Sequence, residues 1–168
     1  RWAQDDNDLP DTVQRSNFFA SRLNQLTTRN SAAYKGVMAL ILKNHCKDFI
    51  SGSEMDFASH VGEATDIHHI FPANYCEQQG IDIKLWNSVI NKTPIYARTN
   101  RIIGGYAPTK YLSSIERNHG VATADLNNYL ESHLIDVEAI RKDDFDTYFQ
   151  NRANAIYDLI EKATGKMV

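Results

Sequence analysis

Two neighbouring histidines, His68 and His69, are the residues of this chain whose types could carry out chemistry together. They lie in the run Asp-Ile-His-His-Ile-Phe-Pro at 66–72, and the asparagines Asn91 and Asn100 follow downstream. Imidazole nitrogens and amide oxygens can ligate a divalent cation, and a neutral histidine can accept a proton from water near neutral pH. Hydrolysis of a phosphodiester needs such a base and such a cation in fixed geometry. The set therefore predicts a one-metal hydrolytic site.

The same residues resemble the signature of His-Asn-His (HNH) endonucleases, in the order His68-His69-Ile70-x-Pro72, Asn91 and Asn100-Arg101. In that family a ββα-metal unit places a divalent cation against the scissile phosphate, so the resemblance implies metal-dependent cleavage of DNA. It implies that His69 is the general base and that Asn91 orients it. It also implies that His68 and Asn100 hold the metal.

The metal position departs from the usual form of the signature, which has an aspartate where this chain has His68. A carboxylate suits Mg²⁺, whereas an imidazole also suits softer ions. One divalent ion is therefore expected, Mg²⁺ or Mn²⁺, with Ni²⁺, Co²⁺ or Zn²⁺ as alternatives. Because a ligating histidine must be neutral, its metal affinity is expected to fall below about pH 6. Asp66, on the same strand face, is expected to support a histidine from behind the ligands, although a solvated strand-end aspartate is an equal alternative.

A longer stretch is similar to the C-terminal nuclease region of modification-dependent restriction enzymes of the GmrSD type. The residues that carry this similarity are 86–94, Thr99-Asn100-Arg101-Ile102-Ile103-Gly104-Gly105 and Ala107-Pro108-x-x-Tyr111-Leu112. It implies a cutting module of a restriction or phage-defence protein, with an upstream sensing domain as its partner in the same protein. The chain has no glycine-rich phosphate loop that would indicate nucleotide binding of its own.

Positive charge is concentrated near the predicted site. The window from Lys84 to Arg117 holds six basic residues and one acidic residue, a net charge of +5, which leaves −8 for the rest of a chain with net charge −3. Phosphate binding depends on local charge rather than on the total. A solvated basic helix face is the alternative. The residues expected to contact nucleic acid are Lys92, Arg98, Arg101 and Lys110.

The order of predicted elements indicates an α+β fold in which a mostly helical domain encloses a small ββα-metal unit. Strands are predicted near 66–72 and 91–96, and a short helix closed by glycine is predicted over 97–105. Apolar stripes predict flanking helices that begin near Asp11, Ser31, Pro108, Thr123 and Asp143 or Asp144. The expected parts are a helical region 1–58, the nuclease unit 59–106 and a helical region 107–168, all in one compact domain.

Composition excludes several other classes. The chain has 168 residues, 42 % hydrophobic and 23 % charged, which is ordinary for a globular protein. Its two cysteines give no disulfide framework and fit a reducing cytoplasm. A membrane span needs about 18 apolar residues in a row, and the sequence has no such run. The start at Arg1 suggests a fragment of a longer protein, and a homo-oligomer is possible.

Two other interpretations stay open. The first is a non-catalytic nucleic-acid-binding or interaction module that keeps the ββα shape, although such a module has no reason to retain the base and the ligands together. The second is a structural zinc site built from His68, His69 and Cys76, which lacks a convincing fourth ligand. The sequence also leaves open whether the substrate is DNA or RNA, and single- or double-stranded.

Overall fold

The computed structural model describes residues 20–55 and 65–165, with side chains from residue 23 onward. Its fold is α+β and mostly helical, as predicted, with one two-stranded antiparallel sheet in the described part. The strands are β1, Thr65–His69, and β2, Lys92–Tyr96. The α-helices are α1 Ala32–Lys43, α2 Ala73–Gln78, α3 Ile83–Trp86, α4 Ala97–Ile103, α5 Pro108–His119, α6 Thr123–Ser132, α7 Val137–Ile140 and α8 Phe145–Thr164. Short 3-10 helices cover Ala20–Gln25 and Val89–Asn91.

The sheet and α4 form the unit that positions the predicted site. Strand β1 pairs with β2 so that His68 lies opposite Thr93 and His69 lies opposite Lys92. Helix α4 begins directly after β2, at Ala97, and Gly104 ends it with a φ of 59°, a conformation that glycine adopts without strain. The predicted order of strand, strand and helix is therefore observed. Because successive strand side chains alternate, His68 and His69 leave opposite faces of the sheet.

The helices around this unit begin and end where their sequence signals lie. Ser31 caps α1 by accepting a hydrogen bond from the Tyr34 amide, at 3.1 Å. Asp144 caps α8 in the same way, and Gly165 ends that helix in the left-handed conformation. The apolar residues of these helices pack against the sheet and form two buried clusters with it. One cluster contains Phe49, Ile70, Phe71, Trp86, Ile95, Ile103 and Tyr111, and the other contains Leu23, Tyr34, Val37, Met38, Ile41, Val89, Ile90 and Ile156.

Arg152, on α8, is a fully buried cation behind the second strand. Its guanidinium donates to the carbonyl oxygens of Ile90, Lys92 and His133. These carbonyls belong to the entry into β2 and to the loop after α6. Backbone dipoles thus solvate the buried charge, and the contacts join three elements that are distant in the sequence.

Several expectations about the elements need correction or lie outside the described residues. The helix predicted from Asp11 falls mainly on residues 1–19, which lie outside the described part, as does the expected boundary at 58/59. Residues 26–30 form no helix. Helices α2, α3 and α7 were not predicted, because each has six residues or fewer and shows no helical periodicity. No described helix combines the length and the apolar character needed to cross a membrane.

Candidate metal centre and the neighbouring histidine

Three side chains that the sequence singled out lie together between β1 and α4. The Asn100 amide oxygen accepts a hydrogen bond from His68 Nδ1 at 2.9 Å. The amide nitrogen of Asn100 donates to Asp66 Oδ2 at 2.7 Å. Asp66 therefore supports Asn100, rather than a histidine as the sequence suggested. Its carboxylate can only accept, so this bond fixes the amide with its oxygen towards His68.

His68 is a buried, neutral imidazole. Its side chain is 2 % exposed, and the rings of Phe49 and Tyr111 lie edge-on to it at centroid distances of 6.3 and 5.9 Å. Burial lowers the pKa of His68 to about 4, against the opposing effect of the Asn100 hydrogen bond. The fall in metal affinity expected below about pH 6 should therefore occur at lower pH.

The protons of the His68 ring decide how it could bind a cation. Nδ1 carries the proton donated to Asn100, while the buried Nε2 has no hydrogen-bond partner among the described residues. A cation that binds Nδ1 would displace this proton to Nε2, which leaves the ring neutral. At neutral pH the ring is therefore available as an uncharged ligand.

The donor set fits a divalent cation. Two cis ligands about 2.1 Å from an octahedral ion lie roughly 3 Å apart, which matches the 2.9 Å between His68 Nδ1 and Asn100 Oδ1. The neighbouring Asp66 carboxylate adds negative charge. No group of three or more His, Cys, Asp or Glu side chains in the described residues could hold a metal by itself. A cation at this place would therefore depend on the amide oxygen of Asn100, with water completing its coordination.

His69 leaves the other face of the sheet and is only partly buried. Its Nε2 lies 3.2 Å from Asn87 Oδ1, and its ring meets Trp86 edge-to-face at 5.6 Å. Because an amide oxygen only accepts, Nε2 carries the proton and Nδ1 is left as the basic nitrogen. Burial lowers the pKa of His69, the Asn87 bond opposes this effect, and the charges of Lys92 and Arg29 add to it. The imidazole is thus neutral and able to accept a proton at neutral pH.

Asn91 has a different place from the one expected. Its fully buried side chain accepts from the Phe71 amide at 2.9 Å and donates to the carbonyl oxygens of Phe71 and Trp86 at 2.9 and 2.8 Å. These bonds fix the bend that follows β1 and do not reach the His69 side chain. Asn87, which lies in the stretch 86–94 but was given no role of its own, makes the contact with His69. Asn91 therefore acts on the backbone that carries the histidines.

The four basic residues expected to contact nucleic acid divide into two groups. Arg98, Arg101 and Lys110 are exposed, and their side chains form no ion pair or hydrogen bond in the described part of the chain. Lys92 is 4 % exposed, and its ammonium donates to the Thr27 carbonyl oxygen at 3.1 Å. Burial and the charge of Arg29 lower the pKa of Lys92 to about 8. Lys92 is therefore tied into the fold, because its strand position points it towards α1 rather than towards solvent.

Arg29 is a cation that the sequence patterns did not mark. It precedes α1 and is far from the basic window in sequence, yet its Nη2 lies 3.9 Å from Asp66 Oδ1 and 3.5 Å from the Ile67 carbonyl oxygen. Its side chain is 59 % exposed. Only the fold brings residue 29 beside β1. Arg29 thus adds positive charge at the edge of the candidate metal centre.

Comparison with known proteins finds a relative of unknown function. The chain is 30 % identical over 149 residues to an uncharacterized protein of Methanocaldococcus jannaschii, in a match that covers 82 % of this chain and 25 % of the relative. The chain thus spans about a quarter of that relative's length. No protein-family model matches the chain, and no solved structure matches it significantly.

Proposed function

We propose that this chain is a metal-dependent endonuclease of the HNH type that hydrolyses DNA phosphodiester bonds. The observation that carries the proposal is the contact of His68 with Asn100 across β1 and α4, beside a second, neutral histidine. The 2.9 Å between the buried imidazole and the oriented amide oxygen is compatible with two cis ligands of a divalent ion, which supports the proposal. Mn²⁺ or Mg²⁺ is the proposed ion, and Ni²⁺, Co²⁺ or Zn²⁺ would also suit the imidazole.

In this proposal each side chain has one task. A bound divalent ion supplies charge that offsets the negative charge developing on the phosphate. His69, the last residue of β1, takes a proton from the attacking water at Nδ1, while Asn87 holds Nε2. Asn91 keeps the bend after β1 in place, so that His69 keeps its position relative to His68. Asp66 keeps the Asn100 amide oxygen facing the ion.

The surface around the site supports a polyanionic substrate. Arg98 and Arg101 lie one helical turn apart on α4, the helix that carries Asn100, and Arg29 lies beside Asp66. Arg98 and Arg101, whose side chains have no partner among the described residues, can bind phosphates without giving up an internal contact. With an upstream sensing domain, the chain would be the cutting module of a cytoplasmic restriction or phage-defence protein.

Nicking of supercoiled plasmid DNA tests the proposal. The parent chain should convert it to open circles with Mn²⁺ and not with EDTA, and Asn100→Ala should remove this activity. Asn118→Ala is the matched control, because Asn118 is an exposed amide on α5 that bonds to Ser114, away from the site. Equal rates for the parent and Asn100→Ala would exclude the proposed site. A parallel assay on single-stranded RNA decides between the two nucleic acids.

A non-catalytic nucleic-acid-binding module is the second candidate. The observation that favours it is the burial of His68, whose Nδ1 is already satisfied by Asn100 within an aromatic enclosure. A chain with this function would retard labelled DNA in a gel through Arg98 and Arg101. It would leave the DNA intact with every divalent metal.

A further inference from the structure

The loop that follows α1 packs behind the candidate metal centre. The Lys47 carbonyl oxygen accepts from His133 Nε2 at 2.8 Å, and the Phe49 ring meets both the His68 and His133 rings. The loop closes on itself through the bonds of the Asp48 amide to the Ser53 carbonyl and of the Gly52 amide to the Asp48 carbonyl, both at 2.9 Å. These contacts make residues 47–53 a fixed support behind β1.

Asp48 is the buried carboxylate of this loop, and it is saturated with donors. Its side chain is 1 % exposed and forms no ion pair in the described part of the chain. Within the loop it accepts from the amides of Ile50 and Ser51, and from the Ser51 hydroxyl, at 3.0 to 3.2 Å. Burying a carboxylate without a cation costs free energy, so these donors must solvate it in place of water.

Two further donors to Asp48 come from the start of α4. The Tyr96 amide, at the cap position of that helix, donates to Oδ1 at 3.0 Å. The Thr99 hydroxyl donates to Oδ2 at 2.9 Å, and Thr99 is 4 % exposed. Thr99 directly precedes Asn100. Hydrogen bonds to a charged acceptor are the stronger kind, so they fix the position of the first turn of α4 against the loop.

We propose that Asp48 is a positioning residue for the His68–Asn100 pair, holding the first turn of α4 so that the Asn100 amide oxygen faces His68. The same loop touches His68 through Phe49, so one support sets the distance between the two groups from both sides. The geometric part of this inference stands on the contacts alone. Its consequence for metal binding rests on the proposed function.

A matched pair of threonines makes the proposal testable without breaking the buried carboxylate. Thr99→Val removes the hydroxyl that reaches Asp48 and keeps the shape of the side chain. Thr109→Val removes an equivalent bond, from the Thr109 hydroxyl to Asp143 Oδ2 at 2.7 Å, in the first turn of α5. Thr109 lies on the opposite side of α5 from Tyr111, which contacts His68, so it serves as the control. Thr99→Ser restores the hydroxyl.

The first measurement uses the metal-free full chain and follows the ¹⁵N signals of the His68 ring and the Asn100 amide by NMR. Thr99→Val should shift both signals towards those of groups without a mutual hydrogen bond. Thr99→Ser should restore them, and Thr109→Val should leave them as in the parent. Unchanged signals in Thr99→Val, or equal shifts in Thr109→Val, would overturn the positioning role.

The second measurement is the Mn²⁺ affinity of the same proteins. Loss of a group that orients a ligand typically weakens metal binding roughly 10–100-fold, and that loss is expected for Thr99→Val alone. If the NMR signals move in Thr99→Val but the parent binds no Mn²⁺, the positioning role stands and the proposed nuclease function fails. If the parent binds Mn²⁺ and Thr99→Val binds it equally well, the consequence of the positioning role for metal binding fails, while the metal site of the proposed function is retained.

Discussion

The two faces of the β1–β2 sheet hold neighbouring histidines in different ways. On one face His68 is enclosed by Asn100, Phe49 and Tyr111, and burial lowers its pKa to about 4. On the other face His69 is only partly buried and contacts Asn87. The alternation of strand side chains places two adjacent histidines in different environments. In the proposed function these environments suit different tasks, because a ligand needs a fixed, neutral ring and a base needs access to water.

Removing the ring on the second face should have the largest effect on activity. His69→Ala should lower the rate of DNA nicking roughly 10²–10⁴-fold, the range for loss of a general base. The Mn²⁺ affinity and the thermal midpoint of unfolding should stay close to those of the parent, because His69 lies on the opposite face of the sheet from His68 and Asn100. Nicking rates of the two proteins give the result, and equal rates would show that His69 is not the base.

Asn91 bonds to the backbone at the bend after β1, so its removal should lower the stability of the fold. Asn91→Ala removes the bonds of this side chain to the Phe71 amide and to two carbonyl oxygens. The Phe71 carbonyl keeps its bond from the Cys76 thiol, so two groups lose their partner. Each such group costs about 1–3 kcal/mol, so the free energy of unfolding should fall by roughly 2–6 kcal/mol. Urea denaturation measures it, with Asn118→Ala, an exposed amide, as the control. A destabilisation no larger than that of the control would contradict the structural role.

Acid should destabilise the buried face of the sheet. Burial lowers the pKa of His68 to about 4 and that of His133 to about 3, whereas both groups titrate near 6.5 when unfolded. The unfolded chain therefore binds these protons first, so their contribution to stability is complete above pH 6.5 and is lost as the pH falls, towards 4 for His68 and towards 3 for His133. Urea denaturation at several pH values measures this effect. The free energy of unfolding should fall less steeply with decreasing pH for His133→Gln than for the parent. Parallel curves for both proteins would show that His133 does not contribute.

Substitution of the exposed basic residues tests whether the surface on the α4 side of the sheet binds DNA. Replacing Arg98, Arg101 and Lys110 by alanine should weaken binding of all DNA sequences alike. It should also reduce the slope of log K against log salt by about 0.9 for each phosphate that these side chains neutralise. The control is the triple alanine variant of Lys43, Lys142 and Lys162, which removes the same charge elsewhere. Equal salt slopes for the two triple variants would assign the effect to overall charge.

The smallest expected effect is a change in metal preference on the first face. His68→Asp should move the activity towards Mg²⁺, because a carboxylate is the harder ligand, without abolishing cleavage. Asn100→Ala should instead weaken the binding of every metal. A plasmid-nicking assay with a panel of metals separates the two variants, and the same metal profile for His68→Asp and the parent would show that His68 is not a ligand.

Local patterns predicted much of the site. The two strands, α4 and the meeting of His68 with Asn100 follow from short stretches with clear signals. The partner of His69 could not be predicted, because Asn87 and Asn91 lie close together in the sequence and only the turn between α3 and β2 decides which of them reaches the ring. Lys92 was expected to contact nucleic acid, but its side chain is buried, because strand pairing rather than charge directs it inward.

Two supporting residues carried no signal in the sequence. Asp48 and Arg29 are far along the chain from the groups they touch, and each resembles an ordinary loop residue. Their roles depend on contacts with Thr99 and Asp66 that exist only after the chain has folded. A motif therefore predicts that His68 and Asn100 lie together more readily than it predicts the groups that support them.

The location of a bound metal is the decisive observation for the candidate centre. Crystals of the protein soaked in Mn²⁺ should show an anomalous peak about 2.1–2.3 Å from His68 Nδ1 and Asn100 Oδ1, near Asp66 and beyond the reach of Asn91. Crystals of Asn100→Ala should lack that peak. Soaked crystals of the parent with no peak between His68 and Asn100, or with the ion bound elsewhere, would show that these two side chains are not a metal site.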